Sequence, residues 1–194
     1  MSASFLLYSY KESCMFDFFK KKKEKTRITD KIWIAETAKW KAIANQKEKD
    51  SNSIFIFWFD NSLRQAESFL QQGSLSISDL VMARELHASQ LENKHVVFAE
   101  HYPLPQKEQE LFAKLNLSEI QVWSALDEPL FKQFGSDKII GMMKQLGMKE
   151  ENAIEHSMIS KAIQNAQEKI SKKVLVDQLC TSQQEWMQRN WANN

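Results

Sequence analysis

The chain alternates between short apolar runs and stretches whose apolar residues recur every three to four positions. Ser53–Phe59, SIFIFWF, is apolar almost throughout rather than at every second position. A strand apolar on both faces is one covered on both faces, as in a parallel sheet. DNSLRQAESFLQQG follows, with Leu63, Ala66 and Leu70 on one helical face. Ser62 and Gln65 fit a capping box, and Gly73 supplies a stop. The alternation returns downstream. HVVFAE (95–100) reads as a second buried strand, PQKEQELFAKL as a helix with Pro105 in its first turn, and EIQVWS (119–124) as the last strand. Upstream, Ile32–Ile34 reads as a short strand leading into a helix over 37–46. Between 78 and 92 the spacing of Leu80, Ala83 and Leu86 predicts another helix. Strands alternating with helices predict an α/β fold with a mainly parallel sheet of about four strands.

After Asp127 the pattern turns purely helical. Ser136 is placed to cap a helix carrying Ile139, Ile140, Met143 and Leu146, which Gly147 ends. An acidic loop over 148–154 leads to a long helix from Glu155, with Met158, Ile159, Ala162, Ile163, Ala166 and Ile170 in one stripe. The stripe is expected to continue through Val174, Leu175 and Leu179 toward Trp186. The chain thus divides into a solvated tail (1–27), an α/β domain (28–126) and a helical appendage (127–194). Trp186, Met187 and Trp191 fall where little chain is left to cover them, so they are expected to bind a partner or a second copy, the alternative being that they fold back on the domain.

Composition narrows the function classes. Of 194 residues 26% are charged and 43% hydrophobic, as in an ordinary globular protein. A net charge of +1 gives no field for nucleic acid. Cys14 and Cys180 are too far apart in sequence to suggest a disulfide framework, which makes a reducing, cytoplasmic setting the expectation. No apolar run reaches the ~20 residues of a membrane span. The chain has only four glycines, and neither GxxxxGK[ST] nor GxGxxG occurs. A phosphate-cradling loop needs such glycines, so no self-sufficient nucleotide site and no cofactor are expected.

At the N-terminus Lys20, Lys21, Lys22 and Lys23 follow the apolar stretch instead of preceding it, unlike a secretory signal. Met15 offers an alternative start. The sharper reading of this tail is a peripheral membrane contact, with Phe16, Phe18 and Phe19 inserted and the lysines on anionic lipid. His87, His95, His101 and His156 have no metal-ligand spacing. His156 reads as a capping residue and the Asp127-Glu128 pair as part of a turn.

From Leu126 to Ile170 the chain reads LDEPLFKQFGSDKIIGMMKQLGMKEENAIEHSMISKAIQNAQEKI. FGSD (134–137), the GM pair at 147–148, Ile154, HSMI (156–159), Lys161 and AQ-K (166–169) match, without a gap, the SecA preprotein translocase ATPase family. The match lies where that family's second nucleotide-binding domain gives way to its helical scaffold. DKIWIAETAKWKAI and IFIFWFDNSLRQAESFLQQ are similar, more faintly, to earlier parts of that RecA-like domain. The resemblance implies a RecA-like sheet and a link to preprotein translocation, with SecA or translocon components as partners.

The departures bear on activity. Where the family carries the arginine-rich TERHESRRID segment, this chain reads AEHYPLPQKEQELFAKLNLSE. Glu100 persists, but no arginine stands between Arg84 and Arg189. The family's GRGTD segment and the Walker motifs of its first nucleotide-binding domain have no counterpart. Phosphate-contacting arginines stabilise transition-state charge in such sites. The expectation is therefore a non-catalytic interaction module. The alternative is a nucleotide-binding protein whose site a partner chain completes.

Overall fold

The computed structural model describes residues 26–192. Five strands, β1 (Arg27–Trp33), β2 (Ser53–Phe57), β3 (Leu80–Met82), β4 (His95–Phe98) and β5 (Glu119–Ala125), form one sheet in the order β1-β5-β4-β2-β3. Every pairing is parallel. The α/β class expected from the sequence is the class observed.

Both faces of the sheet are covered, as the continuous apolar run of β2 requires. Phe55 and Phe57 point to one face, where helices α1 (Glu36–Lys49) and α2 (Asp60–Gln72) bring Trp40, Ile43, Ala66 and Leu70. Ile54 and Ile56 point to the other, where α3 (Pro105–Lys114) brings Phe112. Each buried Ile, Leu or Phe among them contributes about 1.5–3 kcal/mol. Pro105 opens α3, where its missing N–H costs nothing.

The C-terminal part consists of α4 (Pro129–Lys132), α5 (Ser136–Gln145), α6 (Ser157–Ser171) and α7 (Gln183–Trp186), the last continuing as a wider turn through Trp191. It packs over the carboxyl ends of the strands. Ile163, Ile170, Val174, Trp186 and Met187 share a buried cluster with Ile32, Phe59, Tyr102 and Leu104. Gly135 and Gly147, with φ of 83° and 73°, occupy the left-handed conformation on either side of α5.

Four local expectations are corrected. Residues 78–92 are not a helix. Leu80–Met82 extends the sheet as a fifth strand beside β2, and two short 3₁₀ turns follow. Leu80 and Met82 alternate inward, and sheet pairing overrides a helix-like spacing. The α6 stripe ends at Ser171, and Leu175 and Leu179 face outward from irregular chain. Ser62 is not a cap, because α2 already begins at Asp60 and the Ser62 hydroxyl donates to Glu100 instead. Ser136 is the first helical residue of α5, and its hydroxyl donates to the Leu126 carbonyl.

Candidate functional site

In an open parallel sheet ligands bind outside the carboxyl ends of the strands. Here that region carries two buried polar networks, and the chain's own C-terminal segment covers them.

The first network centres on Lys39, on the inward face of α1. Its Nζ donates to Glu128 Oε1 at 2.5 Å and to the Ala99 carbonyl at 2.8 Å, and it lies 4.2 Å from the centre of the Trp40 ring. Glu128 follows β5 and also accepts the Ala125 N–H on Oε1, while its Oε2 has no partner. Glu100 follows β4 and accepts from the N–H groups of Trp58 and Phe59 and from the Ser62 hydroxyl. Burial pushes the Glu128 carboxyl up to about 8 and raises Glu100 and Glu36, the nearby Lys39 offsetting this only in part. Lys39 itself is raised despite burial, because Glu128, Glu36 and Glu100 surround it. The two directions are compatible. One buried ammonium cannot balance three carboxylates, so the ammonium stays charged and the excess negative charge takes up a proton, with Glu128 the group best placed to carry it.

The second network centres on His101, next to Glu100. Nε2 lies 2.9 Å from Asp30 Oδ1 on β1, and Nδ1 lies 2.9 Å from Glu108 Oε1 on α3. Glu108 also accepts the Tyr102 N–H and a bond from Gln167 of α6. Burial alone would lower the imidazole, but the Glu108 and Asp30 carboxylates outweigh it and push His101 up to about 10. His101 is therefore an imidazolium between two carboxylates. An imidazole whose two nitrogens both face carboxylates has no free nitrogen with which to act as a base.

The C-terminal segment closes this end of the sheet. Gln183 accepts from the Leu130 N–H and donates to the His101 carbonyl. The Thr181 carbonyl accepts from the Asn61 N–H. Asp177 accepts from both the Tyr102 hydroxyl and Trp186 Nε1, each at 2.8 Å. What stays open is a hollow of about 180 Å³ whose lining includes Glu36, Gln65, Glu100, Asp127, Glu128 and Lys132. Carboxylates predominate over the one lysine, a poor setting for a polyphosphate. A larger groove of about 590 Å³ lies elsewhere, between α3 and α6 beside the start of β1, with Gln109, Phe112 and Gln164 among its lining.

The residues singled out in the sequence fall as follows. Trp186 and Met187 are buried in the chain's own core, and half-buried Trp191 packs against Phe134 and under Lys173. Exposed apolar groups were the ground for giving these three a docking role, and burial removes that ground for Trp186 and Met187. Phe16, Phe18, Phe19 and Lys20, Lys21, Lys22 and Lys23 lie outside the described residues. His156 accepts from the Met158 N–H at the start of α6, the capping role expected. Asp127 accepts the Glu36 N–H, while Glu128 is the buried partner of Lys39. Among the described residues no group of three or more His, Cys, Asp or Glu has a metal-holding arrangement, and no helix is long and apolar enough to cross a membrane. Sequence reading missed Lys39 and His101. Their only signals were a lysine inside the apolar AKWKAI pattern and a Glu-His pair directly after a buried strand.

No protein-family model matches the chain. Part of it is similar to curated proteins named protein translocase subunit SecA. Identity is 54% over 46 residues with that of Acidithiobacillus ferrooxidans and likewise with that of Anaplasma marginale. With that of Acetivibrio thermocellus it is 42% over 52 residues. The first of these matches covers 24% of this chain and 5% of the relative's length. The chain thus contains a SecA-related segment.

Proposed function

We propose that this chain is a non-catalytic protein-interaction module working with the preprotein translocation machinery, and that it docks through the α5–α6 region. The observation that carries the reading is the exposure of apolar groups in the stretch whose sequence resembles SecA. Ile139 and Met142 on α5 and Leu146 just past its end are 40%, 55% and 79% exposed, and Met158 at the start of α6 is 72% exposed. Isolated exposed apolar residues need no explanation, but Ile139, Met142 and Leu146, spaced three and four positions apart, are a candidate contact surface. The non-catalytic part rests on the carboxyl ends of the strands. They are plugged by Gln183 and Trp186, lined mainly by carboxylates, and served by no arginine between Arg84 and Arg189.

Two measurements test this. Tagged chain is recovered from lysate of its own cells, membranes included, and its companions are identified by mass spectrometry. Enrichment of SecA or translocon subunits, weakened by Met142→Ser with Leu146→Ser, is the expected result. Recovery of the chain alone would remove the translocation reading. Separately, the purified chain is expected to turn over no ATP, with or without those companions. Turnover abolished by a substitution in this chain would establish instead a nucleotide site completed by a partner.

A further inference from the structure

The segment between α6 and α7 holds three aliphatic side chains away from the protein. Leu175, Val176 and Leu179 are 91%, 72% and 84% exposed. The segment is nevertheless fastened from beneath. Val174 is buried, and its N–H donates to the Ile170 carbonyl. Asp177 is turned inward onto Tyr102 and Trp186. Gln178 is gripped through both backbone groups, its N–H by Asn190 Oδ1 at 2.8 Å and its carbonyl by Asn190 Nδ2 at 3.1 Å. Inward anchors at 174, 177 and 178 leave 175, 176 and 179 facing out. The side chains are presented by a built loop, and their exposure costs apolar hydration without any return from folding.

What surrounds them points to one kind of occupant. Lys172 and Lys173 immediately precede the loop and are exposed, with Lys169 one turn back on α6. Among the described residues none of the three is in an ion pair. Lys169 lies over the Phe134 ring and Lys173 over the Trp191 ring. Of the acidic side chains in 168–180, Asp177 is engaged internally and only Glu168 faces solvent. Trp191, half-buried under Lys173, gives the patch an aromatic edge. Aliphatic tips, flanking lysines free of carboxylates and a part-exposed tryptophan are the side chains that suit the boundary of an anionic bilayer. The aliphatic groups enter the acyl region, the indole sits at headgroup level and the ammonium groups meet phosphate.

We infer that the 172–179 loop is a peripheral attachment point for an anionic phospholipid surface, with Leu175, Val176 and Leu179 inserted and Lys172 and Lys173 on the headgroups. The inference does not depend on the link to translocation, since it uses residues after Ile170 and needs no protein partner.

The test is co-sedimentation of the full chain with phosphatidylcholine vesicles, with and without phosphatidylglycerol, at low and high salt. The wild-type chain binds the anionic vesicles, and more weakly as salt rises. Leu175→Asp with Leu179→Asp lowers the affinity about tenfold or more. Lys172→Glu with Lys173→Glu weakens binding and flattens the salt dependence. The leucine pair melts at the wild-type temperature, because its side chains are exposed, and the lysine pair slightly below it, because Lys173 loses its contact with the Trp191 ring. Absence of wild-type binding overturns the inference. So does binding that both variants retain in full, which would place the contact elsewhere, Phe16–Lys23 included. A loop variant that changes the size of the particle in solution, with no wild-type vesicle binding, would make the loop an interface between copies and overturn it equally.

Discussion

Lys39 Nζ and Glu128 Oε1 lie 2.5 Å apart, although 89 positions separate the residues along the chain. One comes from the first helix and the other from the turn after the last strand, so the pair closes the α/β unit on itself. Removing Lys39 leaves the buried Glu128 and Glu100 carboxyls without their cation, whereas removing Glu128 leaves Lys39 beside Glu36 and Glu100. Lys39→Met is expected to cost about 3–5 kcal/mol, Glu128→Leu less, and the double substitution less than the sum of the two. Urea unfolding of the four forms measures the difference. Additive costs would mean that the two groups do not act as a pair.

The pH dependence follows from His101 and Glu128. Both are raised in the folded state, from 6.5 to about 10 and from 4.5 to about 8. A raised group binds its proton more tightly when folded. Its contribution to stability is complete below the unfolded value and is lost as pH rises through the folded one. The two act in the same sense, so the urea midpoint should begin to fall above about pH 4.5 with Glu128, fall most steeply between about pH 6.5 and pH 8 where both groups act, and go on falling to about pH 10 with His101. His101→Asn should lower the midpoint at pH 7 and flatten the decline. A midpoint that rises toward pH 10 would contradict the assignment.

Trp186 is fully buried and its indole N–H is satisfied by Asp177. Trp186→Ala should therefore cost about 3–5 kcal/mol in stability without altering the size of the particle. Trp191→Ala, at a half-buried site, should cost less. Gln183→Ala leaves the Leu130 N–H and the His101 carbonyl unpaired, a penalty of about 1–3 kcal/mol. Thermal melting with size-exclusion chromatography separates these structural effects from changes in association.

On α5 the opposite separation is expected. Met142→Ser and Leu146→Ser remove exposed groups and should shift stability by no more than about 0.5 kcal/mol, yet reduce capture of translocation components. Loss of stability without loss of capture would show that the face serves packing alone.

The elements that sequence reading located are those whose pattern reflects burial on both faces or on one stripe: β2, β4, β5, α1, α2, α3, α5 and α6. β3 was hidden because Leu80-Val81-Met82 is three residues long and sits among positions that also fit a helical spacing. Only its place beside Phe55–Phe57 makes it a strand. The path after Ser171 was hidden for a related reason. Leu175 and Leu179 continue an apolar rhythm in sequence but follow no helix, and Trp186 reaches the core from another direction. The polar networks were harder still to read. Lys39, Glu100, His101, Glu108 and Glu128 are residue types ordinarily found at the surface. Nothing local marks them as buried, since each network is closed by a partner tens of residues away: Glu128 for Lys39, Asp30 for His101 and Gln167 for Glu108.

The parallel pairing of β1 with β5 has a consequence for the nascent chain. Arg27 aligns with Glu119, and the Thr26 hydroxyl donates to the Leu117 carbonyl, 91 positions on. The first strand therefore leaves the ribosome long before its neighbour exists. At ordinary elongation rates Ile28, Ile32 and Trp33 wait on the order of ten seconds without a partner. Until β5 is made they lack the strand that buries them, so β1 joins the sheet only once synthesis has passed Ala125.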